Sequence, residues 1–222
     1  MIEEEDTQIA KPIQAASTRV VADLFYLPPI EFFVAVQDAE EIIIEAQDNY
    51  QKQSFRNRCT IQLANQVKSL SIPVSGGNKK IKYKDVKMDD SQNWRNIHLR
   101  SVQSAYGKAP FFEYFYPGLE KVFQKNHVYL YDFNYELLTL CLHNLRYTAK
   151  LRETSSYGQQ VEEIDLRGLL NAKVPFEDRN IYKPYPYVQI FGLNFAPNLS
   201  VIDLLFCEGP NSNKVIFHSQ KN

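Results

Sequence analysis

The chain has 222 residues, of which 44% are hydrophobic and 23% charged, a composition typical of one globular domain with a sizeable core. Its formal net charge of -1 excludes a global basic field, so we expect no nucleic-acid partner and only local anion binding. No apolar run approaches the roughly 20 residues that span a bilayer, which predicts no membrane insertion.

The N-terminal sequence and the cysteines indicate a compartment. The start, MIEEEDTQIAKP, is acidic and lacks an apolar core, unlike a secretory signal. Cys59, Cys141 and Cys207 lie among apolar residues without a metal-ligand spacing, which is typical of buried free thiols in a reducing environment. We therefore predict a cytoplasmic protein, with a disordered tail over residues 1–17 and a single α/β domain over residues 18–222.

The first elements predict a βαβ unit. The run VVADLFYL (Val20–Leu27) is apolar and rich in β-branched and aromatic residues, which is typical of a buried strand. Two prolines end this strand, and Pro29 suits the first turn of the helix IEFFVAVQDA that follows. The run EIIIEA (Glu41–Ala46) is a second strand. Two strands joined by a short helix are expected to pair in parallel.

Two alternating runs predict a β-hairpin. In the first, Phe55, Cys59, Ile61 and Leu63 face one side, and in the second Leu70, Ile72 and Val74 repeat the alternation. Asn65 and Gln66 form the expected turn between them. A weaker strand is expected near Ile81–Val86.

The middle of the chain is predicted to be mostly helical. One helix spans WRNIHLRSVQSAY, and a second, FFEYFYPGLEKVF, opens after Pro110 and is expected to break at Pro117–Gly118. A third helix, YELLTLCLHNL, is predicted to take Asn134 as its N-cap.

Weaker patterns predict a strand near Ala149–Arg152, a helix near Val161–Leu170 and a strand at Tyr187–Phe191. The segment VIDLLFC is apolar nearly all round and predicts a buried helix. Asn198 or Ser200 is its expected cap, Asp203 is expected to complete a capping box, and Gly209–Pro210 end it. The predicted fold class is α/β: an N-terminal βαβ unit with parallel strands, a β-hairpin, then a mostly helical middle and a buried C-terminal helix.

The densest polar cluster, NYQKQSFRNR, directly follows the second strand of the βαβ unit. Ligands of open α/β sheets bind outside the carboxyl ends of the strands. Lys52 and Arg56 share a side in either a helical or an extended backbone, and such cations beside amide donors bind phosphate or carboxylate. The alternative is a solvated hairpin face whose arginines pair with nearby acids. The predicted substrate-binding residues are Asn49, Tyr50, Lys52, Gln53, Arg56, Arg58 and Arg95.

His98 is the predicted catalytic residue. It shares a helical stripe with Trp94 and Val102, and Arg95 and Arg100 flank it. If its side chain faces the polar cluster, the imidazole could act as a general base. The alternative is a hydrogen-bonded histidine of the core.

Two carboxylates, and the lack of several common catalytic and binding motifs, also bear on the predicted site. Asp23 and Glu45 lie in the strands of the βαβ unit, where an arginine neighbour would make either a salt bridge or an acid/base pair. The chain lacks GxxxxGK[ST], GxGxxG, GxSxG, CxxC and HExxH. We therefore predict no metal site and assign no cofactor.

Several segments, taken in order from about Val21 to Gly209, resemble the WbqC-like protein family: LPPIEFF, EAQDNYQKQSFRNRC, LSIPV, WRNIHLRSVQSAYGKAPFFEYF and NLSVIDLLFCEGP. The resemblance implies a bacterial protein. Family members are often encoded near surface-polysaccharide genes, which implies work on an activated sugar or a similar phosphate-bearing intermediate. It supplies no catalytic residues.

The opening departs from two patterns. The family's QP-x-FLPW-x-GYF-like opening is replaced by DLFYLPPIEFF, without the Trp and Gly. The opening is also similar to that of nucleotidyltransferases with an HxGH signature, but Ile30–Phe33 stand where the histidines would be, so that mechanism is absent.

Two functions follow. The first is an enzyme of transferase type acting on a phosphate- or carboxylate-bearing small molecule. The alternative is a non-catalytic interaction or assembly protein for polysaccharide enzymes, since FFEYFYPG and YKPYPYVQIF could form aromatic patches that bind a protein partner.

Overall fold

A computed structural model describes residues 18–76, 80–158, 164–191 and 194–221. The predicted tail over residues 1–17 lies outside these ranges, and the single domain over 18–222 stays a prediction. The strands are β1 (Arg19–Ala22), β2 (Glu41–Ile44), β3 (Arg58–Leu63), β4 (Gln66–Ser71), β5 (Lys150–Glu153) and β6 (Ile164–Asp165). The α-helices are α1 (Ile30–Val36), α2 (Trp94–Tyr106), α3 (Phe112–Gln124), α4 (Leu130–Asn144), α5 (Val201–Glu208) and α6 (Ser212–His218).

The βαβ prediction is confirmed. Strands β1 and β2 pair in parallel with Ala22 opposite Ile44, and they form the middle of a sheet in the order β5-β2-β1-β6. Strands β5 and β6 also run parallel to their neighbours. Because successive residues of β1 from Val20 onward are all buried, this strand is covered on both faces, which accounts for its continuous apolar run.

Strand β1 is shorter than predicted, because it ends at Ala22 rather than Leu27. Beyond Ala22 the chain leaves the sheet, and the amide of Tyr26 donates to the carbonyl of Phe55, ahead of β3. Leu27 has φ of 42°, and Pro29 is the N-cap of α1 rather than part of its first turn. The apolar residues here are buried by the hairpin and helices instead of by the sheet.

The hairpin prediction is confirmed, with β3 and β4 antiparallel from Arg58 opposite Ser71 to Leu63 opposite Gln66. Cys59 and Ile61 face the core as the alternation predicted. The strand expected near Ile81–Val86 is wrong. That segment holds a 3₁₀ turn at Tyr83–Asp85, anchored by a fully buried Tyr83.

Helix α3 is continuous, so the predicted break at Pro117–Gly118 is wrong. Pro117 is exposed, as is Glu113 one turn earlier, so water can bind the carbonyl that the proline leaves without a donor. A Cβ at Gly118 would lie 3.3 Å from the side chain of Leu140. The glycine therefore lets α3 approach α4 closely.

Helix α4 begins at Leu130, so Asn134 is not its N-cap. Asn134 is fully buried, and its amide donates to the carbonyl of Arg56 (2.7 Å) and the hydroxyl of Tyr83 (2.6 Å). These distant partners outweigh the local preference of asparagine for a cap.

Strand β5 confirms the strand expected near Ala149–Arg152. The helix expected over Val161–Leu170 is wrong where it is described: residues 164 and 165 form β6, turns follow, and residues 161–163 lie outside the described ranges. Tyr187–Phe191 is not a strand either. Its side chains bind α5 instead, since Tyr187 and Gln189 donate to the carboxylate of Asp203.

Helix α5 is buried as predicted and ends at Gly209. Its capping differs from the prediction, because the hydroxyl of Ser200 donates to the carbonyl of Leu27 (2.8 Å) rather than to the helix. Asp203 accepts from Tyr187 and forms no capping box. Helix α6 was not predicted.

The three cysteines are buried and unpaired, as their apolar surroundings predicted. Among the residues the structure describes, no helix combines the length and apolar character needed to cross a bilayer.

Candidate functional site

Charged and polar side chains gather where the four parallel strands end. Asp23 follows β1, Glu45 follows β2, Thr154 follows β5, and Asp165 closes β6. Because Ala22 and Ile44 are paired, Asp23 and Glu45 stand at the same level of neighbouring strands. We call these four residues, with Asp48, Arg56 and Arg167, the carboxyl-edge cluster.

Arg56 is the centre of one half of the cluster. Its guanidinium donates to Asp23 at 2.9 Å, to Asp48 at 2.5 Å and to the carbonyl of Asn49 at 2.6 Å. The side chain is only 3% exposed, and that of Asp23 is 9% exposed. Buried charges persist only when paired and hydrogen-bonded, so Arg56 and Asp23 form a buried ion pair.

Arg167 completes the other half. It donates to Glu45 at 2.9 Å and forms an ion pair with Asp165 at 2.6 Å. The second oxygen of Glu45 accepts from the hydroxyl of Thr154 (2.9 Å) and the amide of Gln47 (2.8 Å). Glu45 is therefore bonded at both oxygens, and its orientation is determined.

The turn after β6 joins the two halves. The amide of Gly168 donates at 2.8 Å to Oδ2 of Asp23, the oxygen that Arg56 does not bind. The preceding residue, Arg167, binds Glu45. Gly168 has φ of 72°, a conformation that favours glycine. The turn thereby contacts both carboxylates of the βαβ unit.

The cluster holds four carboxylates against two guanidinium groups, so its interior is net negative and anions are favoured only at its rim. The described residues contain no group of three or more His, Cys, Asp or Glu side chains placed to hold a metal ion.

Arg58, the first residue of β3, lies close enough to Tyr50 for its charge to act on the Tyr50 hydroxyl. It is half-buried, and within the described part of the chain it makes no ion pair and its Nε has no acceptor. Burial raises the pKa of Tyr50 to about 12, and the positive charges of Arg58 and Arg56 oppose that rise. The structure therefore brings together three predicted binding residues: Tyr50, Arg56 and Arg58.

The other residues of the predicted segment differ in environment. Asn49 contributes its carbonyl to Arg56, whereas Lys52 and Gln53 are exposed, and Gln53 has φ of 53°. Lys52 and Arg56 were expected to share a side. One is exposed and the other buried, so they do not.

His98 lies in an aromatic part of the core and is 4% exposed. Its Nδ1 is 2.8 Å from the hydroxyl of Tyr26, and the ring contacts Trp94 edge-on. Burial lowers its pKa to about 4, so the imidazole is neutral near pH 7. These contacts favour the alternative of a hydrogen-bonded core histidine over a general base.

Arg95 is engaged elsewhere. Its guanidinium stacks on Trp94, pairs with Asp90 at 3.1 Å and donates to the carbonyls of Phe123 and His127. It therefore fixes the end of α3 to α2, and its hydrogen-bond partners lie outside the carboxyl-edge cluster.

Sequence reasoning missed Arg167 and Thr154. Arg167 fell inside a predicted helix, which hid its position after a strand. Thr154 follows β5 directly, so the rule that placed NYQKQSFRNR after β2 could have found it.

The family model of the WbqC-like protein family matches residues 25–174. This chain belongs to the WbqC-like protein family. The WbqC-like match runs from the loop after β1 to beyond β6, so it includes Glu45, Arg56, Arg58 and Arg167. Helices α5 and α6 lie outside it. No curated protein and no solved structure matches the chain.

Proposed function

We propose that this WbqC-like protein is an enzyme of transferase type that binds a phosphate- or carboxylate-bearing small molecule at the carboxyl edge of its parallel sheet. An activated sugar of surface-polysaccharide biosynthesis is the substrate class that the family resemblance favours. The observation that carries the proposal is Arg58, a half-buried cation without an ion pair among the described residues.

The position of Arg58 supports anion binding. Burying a guanidinium without a counter-charge is costly, and phosphate or carboxylate would supply both the charge and the missing acceptor. Arg56 does not serve in the same way, because its guanidinium already binds two carboxylates and a carbonyl and its side chain is only 3% exposed. Its role is to position the segment that carries Asn49, Tyr50 and Arg58.

The carboxylates behind the rim support a chemical role. Glu45 and Asp23 pair with arginines and are fixed in orientation by hydrogen bonds at both oxygens, and a transferase needs a base to accept the proton of the acceptor hydroxyl. Glu45 is the candidate base, because Asp23 already binds Arg56 and the Gly168 amide; the Glu45 side chain is itself only 2% exposed, and that of its partner Arg167, at 19%, borders solvent. Asp23, whose side chain is 9% exposed, binds Arg56 with one oxygen and the amide of Gly168 with the other.

Thermal-shift measurements test the proposal directly. Nucleotide diphosphate sugars, inorganic phosphate and neutral sugars would be compared on the wild type, on Arg58→Gln and on Arg100→Gln, an exposed cation of α2. We expect phosphate-bearing ligands to raise the melting temperature of the wild type and of Arg100→Gln. The neutral sugars should have no effect, and Arg58→Gln should lose the response.

Two results would contradict the proposal. One is the absence of stabilisation by any anion in the set. The other is an equal response of Arg58→Gln and Arg100→Gln, which would show that Arg58 contacts no ligand.

A further inference from the structure

A cavity lies between the start of α3, the end of α4 and the turn after α5. Its volume is about 440 Å³, within the range of small-molecule sites. Arg146, at its wall, precedes β5 in the chain, so the cavity is on the amino-end side of the sheet, away from the carboxyl-edge cluster.

One wall of this cavity is apolar and preformed. It consists of Phe111, Tyr114, Phe115 and Pro210. Phe111 is fixed by its amide, which donates to the carbonyl of Phe206 at 3.0 Å, and by close contact with Gly209. A Cβ at Gly209 would lie 2.5 Å from the Phe111 ring, so only glycine allows this approach.

The opposite wall carries cationic and ionisable groups. His143 and Arg146 are exposed, and neither side chain has a hydrogen-bond or ion-pair partner among the described residues. None of the described residues that line the cavity is acidic.

The backbone carbonyls at the end of α4 do not neutralise the positive charge of this wall, because amide groups of the protein already donate hydrogen bonds to them. The amide of Arg146 donates to His143 at 2.9 Å, and the side chain of Asn213 donates to Leu145 at 2.7 Å. Arg146 is therefore the group whose charge is uncompensated.

We propose that this cavity binds a small aromatic anion, with its ring against Phe111, Tyr114 and Phe115 and its carboxylate or phosphate on Arg146. Planar rings pack favourably on aromatic side chains, and a guanidinium binds either anion through two parallel donors. The site is separate from the proposed substrate site and does not depend on it.

Titration followed by amide NMR shifts and calorimetry tests this site. The probes are 4-hydroxybenzoate and phenyl phosphate, with benzyl alcohol as the uncharged counterpart. We expect both anions to bind and to shift amides at residues 111–115, 143–146 and 209–210, whereas benzyl alcohol binds about tenfold more weakly or not at all. The anion that binds more tightly identifies the preferred acid group.

Three variants identify the location. Arg146→Asn removes the charge while keeping a residue that tolerates the φ of 57° found there, and it should weaken binding about tenfold. Tyr114→Ala removes a ring that is 77% exposed, so folding is preserved, and it should also weaken binding. Arg58→Gln changes only the carboxyl-edge site and should keep the amide shifts at residues 111–115, 143–146 and 209–210, which separates the two sites.

The proposal is overturned by absence of binding at millimolar concentration. It is equally overturned if Arg58→Gln loses binding while Arg146→Asn and Tyr114→Ala retain it, because the anions would then occupy the carboxyl edge.

Discussion

Two regions beside α4 bury titratable groups in opposite ways. At the carboxyl edge, Arg56 and Asp23 are buried as an ion pair, with N–O contact at 2.9 Å. Around His98, burial among aromatic rings lowers the pKa to about 4 and leaves a neutral group hydrogen-bonded to Tyr26. A buried titratable group therefore marks a candidate site only where partners preserve its charge.

Helix α4 contacts both regions, and two consecutive residues of the helix face one region each. Phe133 packs against the rings of Tyr26 and Trp94, next to His98. Asn134 donates instead to the backbone of Arg56. The comparison can thus be tested on each side of one helix.

The largest expected effect is that of Arg56→Met, which leaves Asp23 and Asp48 without their cation. Breaking a buried ion pair on one side costs about 3 to 5 kcal/mol, and we expect that loss in the free energy of unfolding measured with urea. Arg152→Met is the matched control, because Arg152 pairs with Glu41 at the surface and should lose at most about 1 kcal/mol. Similar losses in both variants would contradict a buried charge pair.

The second effect is a pH dependence from His98. Its pKa falls from the ordinary 6.5 to about 4 on folding, so the unfolded chain binds a proton more readily in that interval. The contribution of neutral His98 to the free energy of unfolding should therefore be complete above about pH 6.5. As the pH falls from there through 4, the free energy of unfolding should decrease by about 3 kcal/mol.

Unfolding curves between pH 4 and 7 separate His98 from the acidic groups. His98→Gln should lose this part of the pH dependence, and His143→Gln, at an exposed position, should keep it. Parallel curves for the wild type and His98→Gln would show that folding does not lower the pKa of His98.

The smallest effect is that of Asn134→Ala, which removes donors to Arg56 and Tyr83 in the protein interior. Leaving a buried acceptor unsatisfied costs about 1 to 3 kcal/mol. Thr139→Ala, on an exposed position of the same helix, should cost less. If the two variants unfold at the same urea concentration, Asn134 does not support the carboxyl edge.

Local patterns predicted those parts of the fold in which burial repeats along the chain. The alternation of Cys59 and Ile61 and most of the α2 stripe are buried where their spacing indicated, although Ile97, predicted on the same stripe, is 53% exposed. The failures have distant causes. Asn134 left its expected cap for partners more than fifty residues away, and Tyr187 binds Asp203 instead of a neighbouring strand. Strand β6 has two residues, too few to show a period.

The same limit applies to the candidate site. The position of Asp23 and Glu45 in neighbouring parallel strands followed from the sequence, and so did the expectation that arginines would pair with acids. Which arginine meets which acid did not follow, because Arg167 is 122 residues from Glu45. Only folding brings the turn after β6 to the carboxyl ends of β1 and β2.

The order of the sheet has a consequence for synthesis of the chain. Strand β1 is the first described element to leave the ribosome, and its partner β6 is translated only after some 140 further residues. Until then, the edge of β1 that β6 will cover has unpaired amides and carbonyls, and such an edge invites pairing with other chains. A nascent chain arrested before residue 164 would therefore be more dependent on chaperones than the finished protein.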